Sequence, residues 1–435
     1  MRDERTASRE EGREVDDSIA QAVEEWLTQA AARQATGETL PTSFVSTGER
    51  LYEAVQTAPI RKDFPYEEPQ TWEAICGAWS QSEECLTPPH GAELRDRVLA
   101  GWLGRAAGCL LGKPVEGWSR ERIERLLEVN GLAELTDYLP ETDQGDSDLT
   151  LRCPPGWCRG SIHGMVRDDD LDYTVIALRV LETYGFDFTP QQVGDFWLTH
   201  LPYYKVYTAE RAAYRNRVDG ILPPQSAWRY NPYREWIGAQ IRADLYGYVC
   251  PGDPRRAARL AFQDATLSHT GNGVYGAMWV AATVAAAFVT RSPVEAVTTG
   301  LQYIPARSRL AEAVRDCLAW KRSEPSWASA WARLNERYGQ YHPVHTINNA
   351  GLVVLALLYG EGDFARTVGL AVRGGWDTDC NGATAGSILG VCLGTQGLPA
   401  SLVAPLEDRL QTALADEGEL RFTDLAARTV QLVHA

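Results

Sequence analysis

From Glu93 onward, apolar residues recur at the three- and four-residue spacing of helices almost without a break, and convincing alternating strand runs are scarce. Segments near 172–184, 190–200, 208–218, 234–246, 254–266, 272–290, 293–302, 307–320, 324–338, 346–359 and 361–373 all read as helices. Two more are marked by glycine. "LRDRVLAGWLGRAAGCLLGKP" carries Gly101, Gly104, Gly108 and Gly112, and the run after residue 380 carries Gly382, Gly386, Gly390 and Gly394. An interior helical glycine costs about 1 kcal/mol relative to alanine, so a row of four predicts another backbone pressed against that face. Both helices are expected at the centre of an all-α bundle.

The first 92 residues have a different pattern. Residues 1 to about 15 are charged and lack an apolar period, which predicts a frayed tail. "DDSIAQAVEEWLTQAAARQ" then predicts a capped amphipathic helix, and Pro59, Pro65, Pro69, Pro88 and Pro89 punctuate the stretch after it. The apolar content is thin for an independent core. Residues 1–92 are therefore read as an extension packed on a main body of residues 93–435.

Composition narrows the function classes. The chain has 435 residues, 44% apolar and 23% charged, within the range of folded enzymes. A net charge of −16 argues against general affinity for nucleic acid or anionic membranes. Nine cysteines, an odd number, with no apolar leader in the first thirty residues, predict reduced thiols and a cytoplasmic protein. The longest apolar stretch, "YGAMWVAATVAAAFV" at 275–289, falls short of the roughly 20 residues of a membrane span and reads as a buried helix.

Two acidic stretches carry the candidate chemistry. "RDDDLDYTVIALRVLETYG" puts Asp168, Asp169, Asp170 and Asp172 at the start of a helix, and "GGWDTDCNGATAG" puts Asp377, Asp379 and Cys380 at the start of another. Acidic residues cap helices and complement their dipoles, but a cap needs only one or two. Three consecutive aspartates on one loop and Asp-x-Asp on another form a set of hard oxygen donors. If the loops meet, their carboxylates repel strongly unless cations lie between them. The long loop region 137–170, rich in Asp, Gly and Pro, leads into the first cluster, and unstructured stretches of that length are more often functional than idle.

Four motifs in order, "LAGWLGRAAGCLLGKPVEGW", "DDDLDYTVIAL", "LSHTGNGVYGAMWVAATVAAAF" and "HTINNAGLVVLALLYGEGDFARTVGLAVRGGWDTDCNGATAGSILGVCLG", resemble the ADP-ribosylglycohydrolase family over roughly residues 94–400. The resemblance implies an all-α fold, a single large orthogonal helical bundle with residues 93–435 as the catalytic domain. It also implies a binuclear Mg²⁺ or Mn²⁺ centre at which an N- or O-glycosidic bond to ADP-ribose is hydrolysed. The family's first ligand motif falls on Asp168, Asp169 and Asp170, with aspartate at the hydroxyl position; a register using Asp172 and Thr174 stays open. Its second motif falls on Asp377, Asp379 and Cys380, with Trp376 at a glycine position. Cysteine in place of a hydroxyl residue offers a soft sulfur that Mg²⁺ binds poorly, so one metal position is expected to be weakened.

The resemblance also places Glu116, in "GKPVEGW", beside the cleft. Catalytic roles are expected for Asp169, Asp170, Asp379 and Glu116. Contacts to substrate are expected from Glu116, His269, Asn272, Gly273, His345, Asn349 and Trp376, with the Asn272–Gly273 backbone offered to a phosphate. Cys153 and Cys158, in "CPPGWC", lack the second pair that structural zinc requires. The expected substrate is ADP-ribose or a ribosyl conjugate, free or on a protein. A divergent enzyme acting on a small nucleotide conjugate, or a non-catalytic ADP-ribose-binding protein, are the alternatives.

Overall fold

A computed structural model describes residues 1–80, 87–143 and 148–434. Cys85 and the centre of the 137–170 loop lie outside the described residues. The chain is all-α, 64% helical, and its one sheet among the described residues is the short pair Leu410–Gln411 and Glu419–Leu420. Helices occur at Pro190–His200, Thr208–Val218, Pro254–Ala265 and Thr346–Tyr359, close to the expected spans. The 234–246 segment differs. It splits into a 3₁₀ run, Ile237–Arg242, and a short helix, Asp244–Tyr248, because Gln240, Arg242 and Asp244 must all turn inward.

The two glycine helices, Gly91–Gly112 and Thr378–Leu393, pack on each other at the centre. Glycines face backbone across the contact. A methyl group at Gly104 would overlap the carbonyl of Gly386, one at Gly108 that of Gly382, and one at Gly112 that of Thr378. In the reverse direction Gly390 abuts the carbonyl of Ala100. Removing side chains from both faces lets the helices approach to backbone contact, which no larger residue permits. The Thr378 hydroxyl donates to the Gly112 carbonyl at 2.8 Å and closes this end of the seam.

The long apolar helix runs Gly271–Thr290, longer than the apolar run within it. By length and apolarity it could cross a bilayer, but 89% of its most apolar window is buried inside the protein, as for a core helix.

Among the described residues of 1–92, the helices Arg2–Glu10, Asp17–Ala35 and Thr42–Gln56 surround a small apolar cluster of Val15, Val23, Val55 and Ala58, while Trp72–Gly77 packs its Ile75 into the main core. The expected frayed tail is corrected here. Arg2–Glu10 is a helix whose Glu4 is buried against Arg234 at 2.7 Å, with Glu11 bidentate on the same guanidinium at 2.6 and 3.0 Å. A charged segment that finds buried partners of opposite sign has reason to order. Further along, Glu68 and the body's Glu235 share Arg309 at 2.7 and 2.8 Å. One cysteine expectation also changes: Cys153 and Cys158 form a disulfide, their Cα atoms 6.1 Å apart. Cys76, Cys109, Cys250, Cys317, Cys380 and Cys392 are free.

The glycine seam gives a direct prediction. Gly108→Ala and Gly382→Ala should each destabilise the protein by about 3 kcal/mol, the upper range of core overpacking. Gly77→Ala, where a methyl group would meet open space, should stay within about 0.5 kcal/mol of wild type. Urea unfolding of the three variants checks this, and equal stability of all three would contradict the seam.

Candidate metal centre

The seam ends where the acidic loops begin. Asp168 precedes the helix Asp169–Tyr184, and its carboxylate accepts from the Asp170 N–H at 3.0 Å as the N-cap. Asp377 precedes Thr378–Leu393 but makes no side-chain cap. Asn349, one turn into the helix Thr346–Tyr359, holds the Asp377 loop instead. Its Oδ1 accepts from the Asp377 N–H at 3.3 Å and from Asn381 Nδ2 at 2.7 Å, while its Nδ2 donates to the carbonyls of Pro343 and His345. Trp376 supports the same turn in a left-handed conformation, φ 61°, its carbonyl accepting from the Gly117 N–H and its ring 6.0 Å from that of Trp331.

The two loops, about two hundred positions apart, converge. Ligand atoms of Cys109, Asp168, Asp170 and Asp379 lie within 4.8 Å of one another, as do those of Asp377, Asp379 and Cys380, and all six residues are buried. Asp379 belongs to both groups. Its Oδ1 is buried with no hydrogen-bond donor among the described residues. Asp169 is in neither group and remains half-buried beside Asp168. In the alternative register, Asp172 turns away to Arg167 at 2.7 Å and to the Ala413 N–H at 2.9 Å, and the Thr174 hydroxyl donates to the Asp170 carbonyl.

Three cations border the cluster. Arg105, fully buried in the first glycine helix, binds Asp170 Oδ1 and Asp244 Oδ2, each at 2.9 Å, and also the Asp170 carbonyl and Thr174. Lys113 forms a tight ion pair with Asp168 and lies 4.5 Å from the ring centre of Trp157. Arg167 takes Asp172. Sequence reasoning missed all three. A lone arginine inside a row of small residues, and a lysine three positions before Glu116, were the available signals.

Burial and mutual repulsion dominate the protonation of the remaining acids. Burial, with Glu116, Asp377, Asp168 and Asp170 nearby, pushes Asp379 well above the usual carboxylate range. Burial and then Asp168 do the same for Asp169. Asp170 is raised by burial despite Arg105, whereas Lys113 keeps Asp168 low against its own burial. Glu116 stands at the rim, where desolvation of its carboxyl, then Asp377 and Asp168, push it up to about 7. The thiols of Cys109 and Cys380 are driven up by burial and the surrounding carboxylates and stay protonated. Cys380 also packs on Ile237 and Ile241.

The other expected substrate contacts are engaged elsewhere. Asn272 was expected at a phosphate, but its amide donates to Glu235 and Glu68 and its Oδ1 accepts from the Leu310 N–H. The helix start at Gly271 does not present a free nest, because Glu235 accepts the Asn272 N–H at 2.8 Å and Gln70 that of Gly271 at 3.0 Å. A side chain at Gly273 would strike the Arg234 carbonyl, which explains that glycine by packing. His269 is buried beside Ser268 at 2.8 Å and held neutral by burial and Arg242, its Nε2 without a hydrogen-bond partner among the described residues. His345 caps its helix through the Ile347 N–H. A cavity of about 670 Å³ lies between the extension and the body, lined by Glu11, Phe64, Tyr66, Trp228 and His269 among others; no carboxylate of the cluster reaches it.

The chain matches the ADP-ribosylglycohydrolase family over residues 90–432. It belongs to that family. Residues 1–89, including the segment that pairs with Arg234 and Arg309, lie outside the match. An uncharacterised protein of Archaeoglobus fulgidus is 26% identical over 296 residues, covering 66% of this chain and 85% of that protein. A solved ADP-ribosylglycohydrolase-related protein complex matches 79% of this chain and 98% of its own at 20% identity and a TM-score of 0.47.

The raised acids set the sign of a stability test. A carboxyl raised in the folded state holds a proton the unfolded chain releases, so ionising it near neutral pH destabilises the fold, and lowering pH toward the ordinary carboxylate range restores stability. In chelator at pH 7.5, Asp379→Asn should therefore melt above wild type, and the gap should narrow as pH falls to 5.5. Added Mg²⁺ should raise the wild-type melting temperature more than the variant's. A variant that melts below wild type in chelator would contradict the repulsion.

Proposed function

We propose that the chain is a metal-assisted glycoside hydrolase that cleaves an N- or O-glycosidic bond to ADP-ribose or a related ribosyl group. The observation that carries this reading is the partnerless, buried Asp379 Oδ1 at the meeting point of two carboxylate loops. A cluster whose acids are raised by one another is a poor structural feature and a good cation site. The donor set suits Mg²⁺ or Mn²⁺: the clustered aspartates supply hard oxygens, and the sulfurs of Cys109 and Cys380 are soft donors that these ions bind poorly. Asp377 and Asp379, with Asp170 from the first loop, would hold the ion, and Asp168, paired with Lys113, and the half-buried Asp169 would border it.

A bound divalent ion supplies Lewis-acid stabilisation of substrate oxygen and orients the ribose diol. The protein's own residues do the rest. Arg105 fixes Asp170, and Asn349 fixes the Asp377 loop, so the acidic groups are held before substrate arrives. Glu116, at the rim with its carboxyl near 7, can take or give a proton at neutral pH, as a group working on a water or a leaving aglycone requires. Arg122 lies over the ring of Trp118 and Lys113 over that of Trp157, and these rings would offer flat apolar surface and positive charge to a substrate near Glu116. Buried carboxylates on either side of a sugar would stabilise the oxocarbenium character of a breaking glycosidic bond.

Asp377→Ala and Asp379→Ala should each abolish Mg²⁺-dependent release of ADP-ribose from an ADP-ribosyl-arginine probe, and of ribose from smaller ribosides, while circular dichroism stays that of wild type. Undiminished turnover in both variants would refute the assignment.

A further inference from the structure

We propose that Lys113 is a resident cation of the acidic cluster: its ammonium takes the place of one positive ion, so the chain binds a single divalent ion on the Asp377 and Asp379 side rather than two. The proposal rests on the metal-assisted reading above and specifies how many ions that site takes.

The placement of Lys113 is dictated by the backbone. It opens the 3₁₀ turn Lys113–Val115 directly after Gly112, whose Cα lies against the Thr378 carbonyl. The glycine contact and the Thr378–Gly112 hydrogen bond therefore fix the root of the lysine beside the second acidic loop. From there the side chain, 9% exposed, runs under Trp157 and ends on Asp168 of the first loop. An ordinary surface lysine would keep its head in water; this one is led inward by a tryptophan face and a carboxylate.

The consequence lies in which oxygens remain. Asp168 has a donor on each oxygen, Lys113 on Oδ2 and the Asp170 N–H on Oδ1. Asp170 Oδ1 belongs to Arg105. Among the described residues of the cluster, only the Asp379 end presents a buried oxygen with no donor, Oδ1. Charge is divided the same way. Lys113 balances Asp168, Arg167 balances Asp172, and Arg105 is shared by Asp170 and Asp244, while no cationic side chain among the described residues pairs with Asp377 or Asp379. A divalent ion answers the second set. A second ion on Asp168 would have to meet an ammonium already bound there, and like charges at that spacing in a dry site repel strongly.

The test is to count ions on full-length protein stripped with chelator, using Mn²⁺ alone as the probe, by titration calorimetry together with electron paramagnetic resonance. Wild type should bind one Mn²⁺ with the six-line spectrum of an isolated ion. Lys113→Met, if folded by circular dichroism, should bind two and show a spin-coupled spectrum, and Lys113→Arg, which keeps the charge, should remain at one. Two coupled ions in wild type would overturn the proposal and leave the metal-assisted reading standing, and this count decides even if Lys113→Met does not fold. A folded Lys113→Met that still binds one ion would overturn it as well. No Mn²⁺ binding by wild type would remove the metal-assisted reading and the proposal together.

Discussion

Everything at the site depends on a contact made chiefly by main chain: the backbone of one glycine helix against the backbone of another. Gly104, Gly108 and Gly112 face Gly386, Gly382 and Thr378, with no room for a methyl group at any of the three. The contact runs on into the loops. One helix ends at Gly112 and delivers Lys113 and Glu116; the other begins after Asp377 and delivers Asp379 and Cys380. The distance between those groups is thus set by the closest approach two helices can make, and it is held without reliance on rotamers.

Backbone proximity concentrates charge, and the rest of the design manages it. Five aspartates and Glu116 gather in a region where burial raises the energy of every ionised carboxyl. Three cations answer the edge of the cluster, each in a different manner: Arg105 from within the glycine helix, Lys113 from its end, Arg167 from the loop before Asp168. They leave the Asp377 and Asp379 side unanswered. Uncompensated buried carboxylates are stable only with bound protons or a bound cation, and this is the physical reason the place is a candidate metal centre. The extension uses the same logic without chemistry: Glu4, Glu11 and Glu68 end on Arg234 and Arg309, so residues outside the family match are tied to the body by paired ions.

Much of this was legible in the sequence, for reasons that differ by residue. Helical periodicity located Pro190–His200 and Thr346–Tyr359 because their apolar faces are continuous. The glycine rows announced a close backbone because nothing else justifies their energetic penalty; that each row was the other's partner required the tertiary structure. The acidic motifs were visible as an excess over what caps need. Charge pairing at long range was not visible. Arg2–Glu10 looked disordered because its stabilising partner, Arg234, is more than two hundred residues away. Asn272 looked available because Glu68, Glu235 and Leu310 converge on it only in three dimensions. The 234–246 segment kept helical spacing, yet its polar residues point into the core, and their hydrogen bonds decided its shape.

Where the glycine helices bring them together, the two acidic loops are proposed to hold a divalent cation jointly. Anomalous diffraction from crystals soaked with Mn²⁺ and ADP-ribose tests it most directly. An anomalous peak is expected within coordination distance of Asp379 Oδ1 and Asp377, with ribose density beside it. A map with Mn²⁺ only at surface carboxylates, and Asp379 Oδ1 still without a partner, would contradict it.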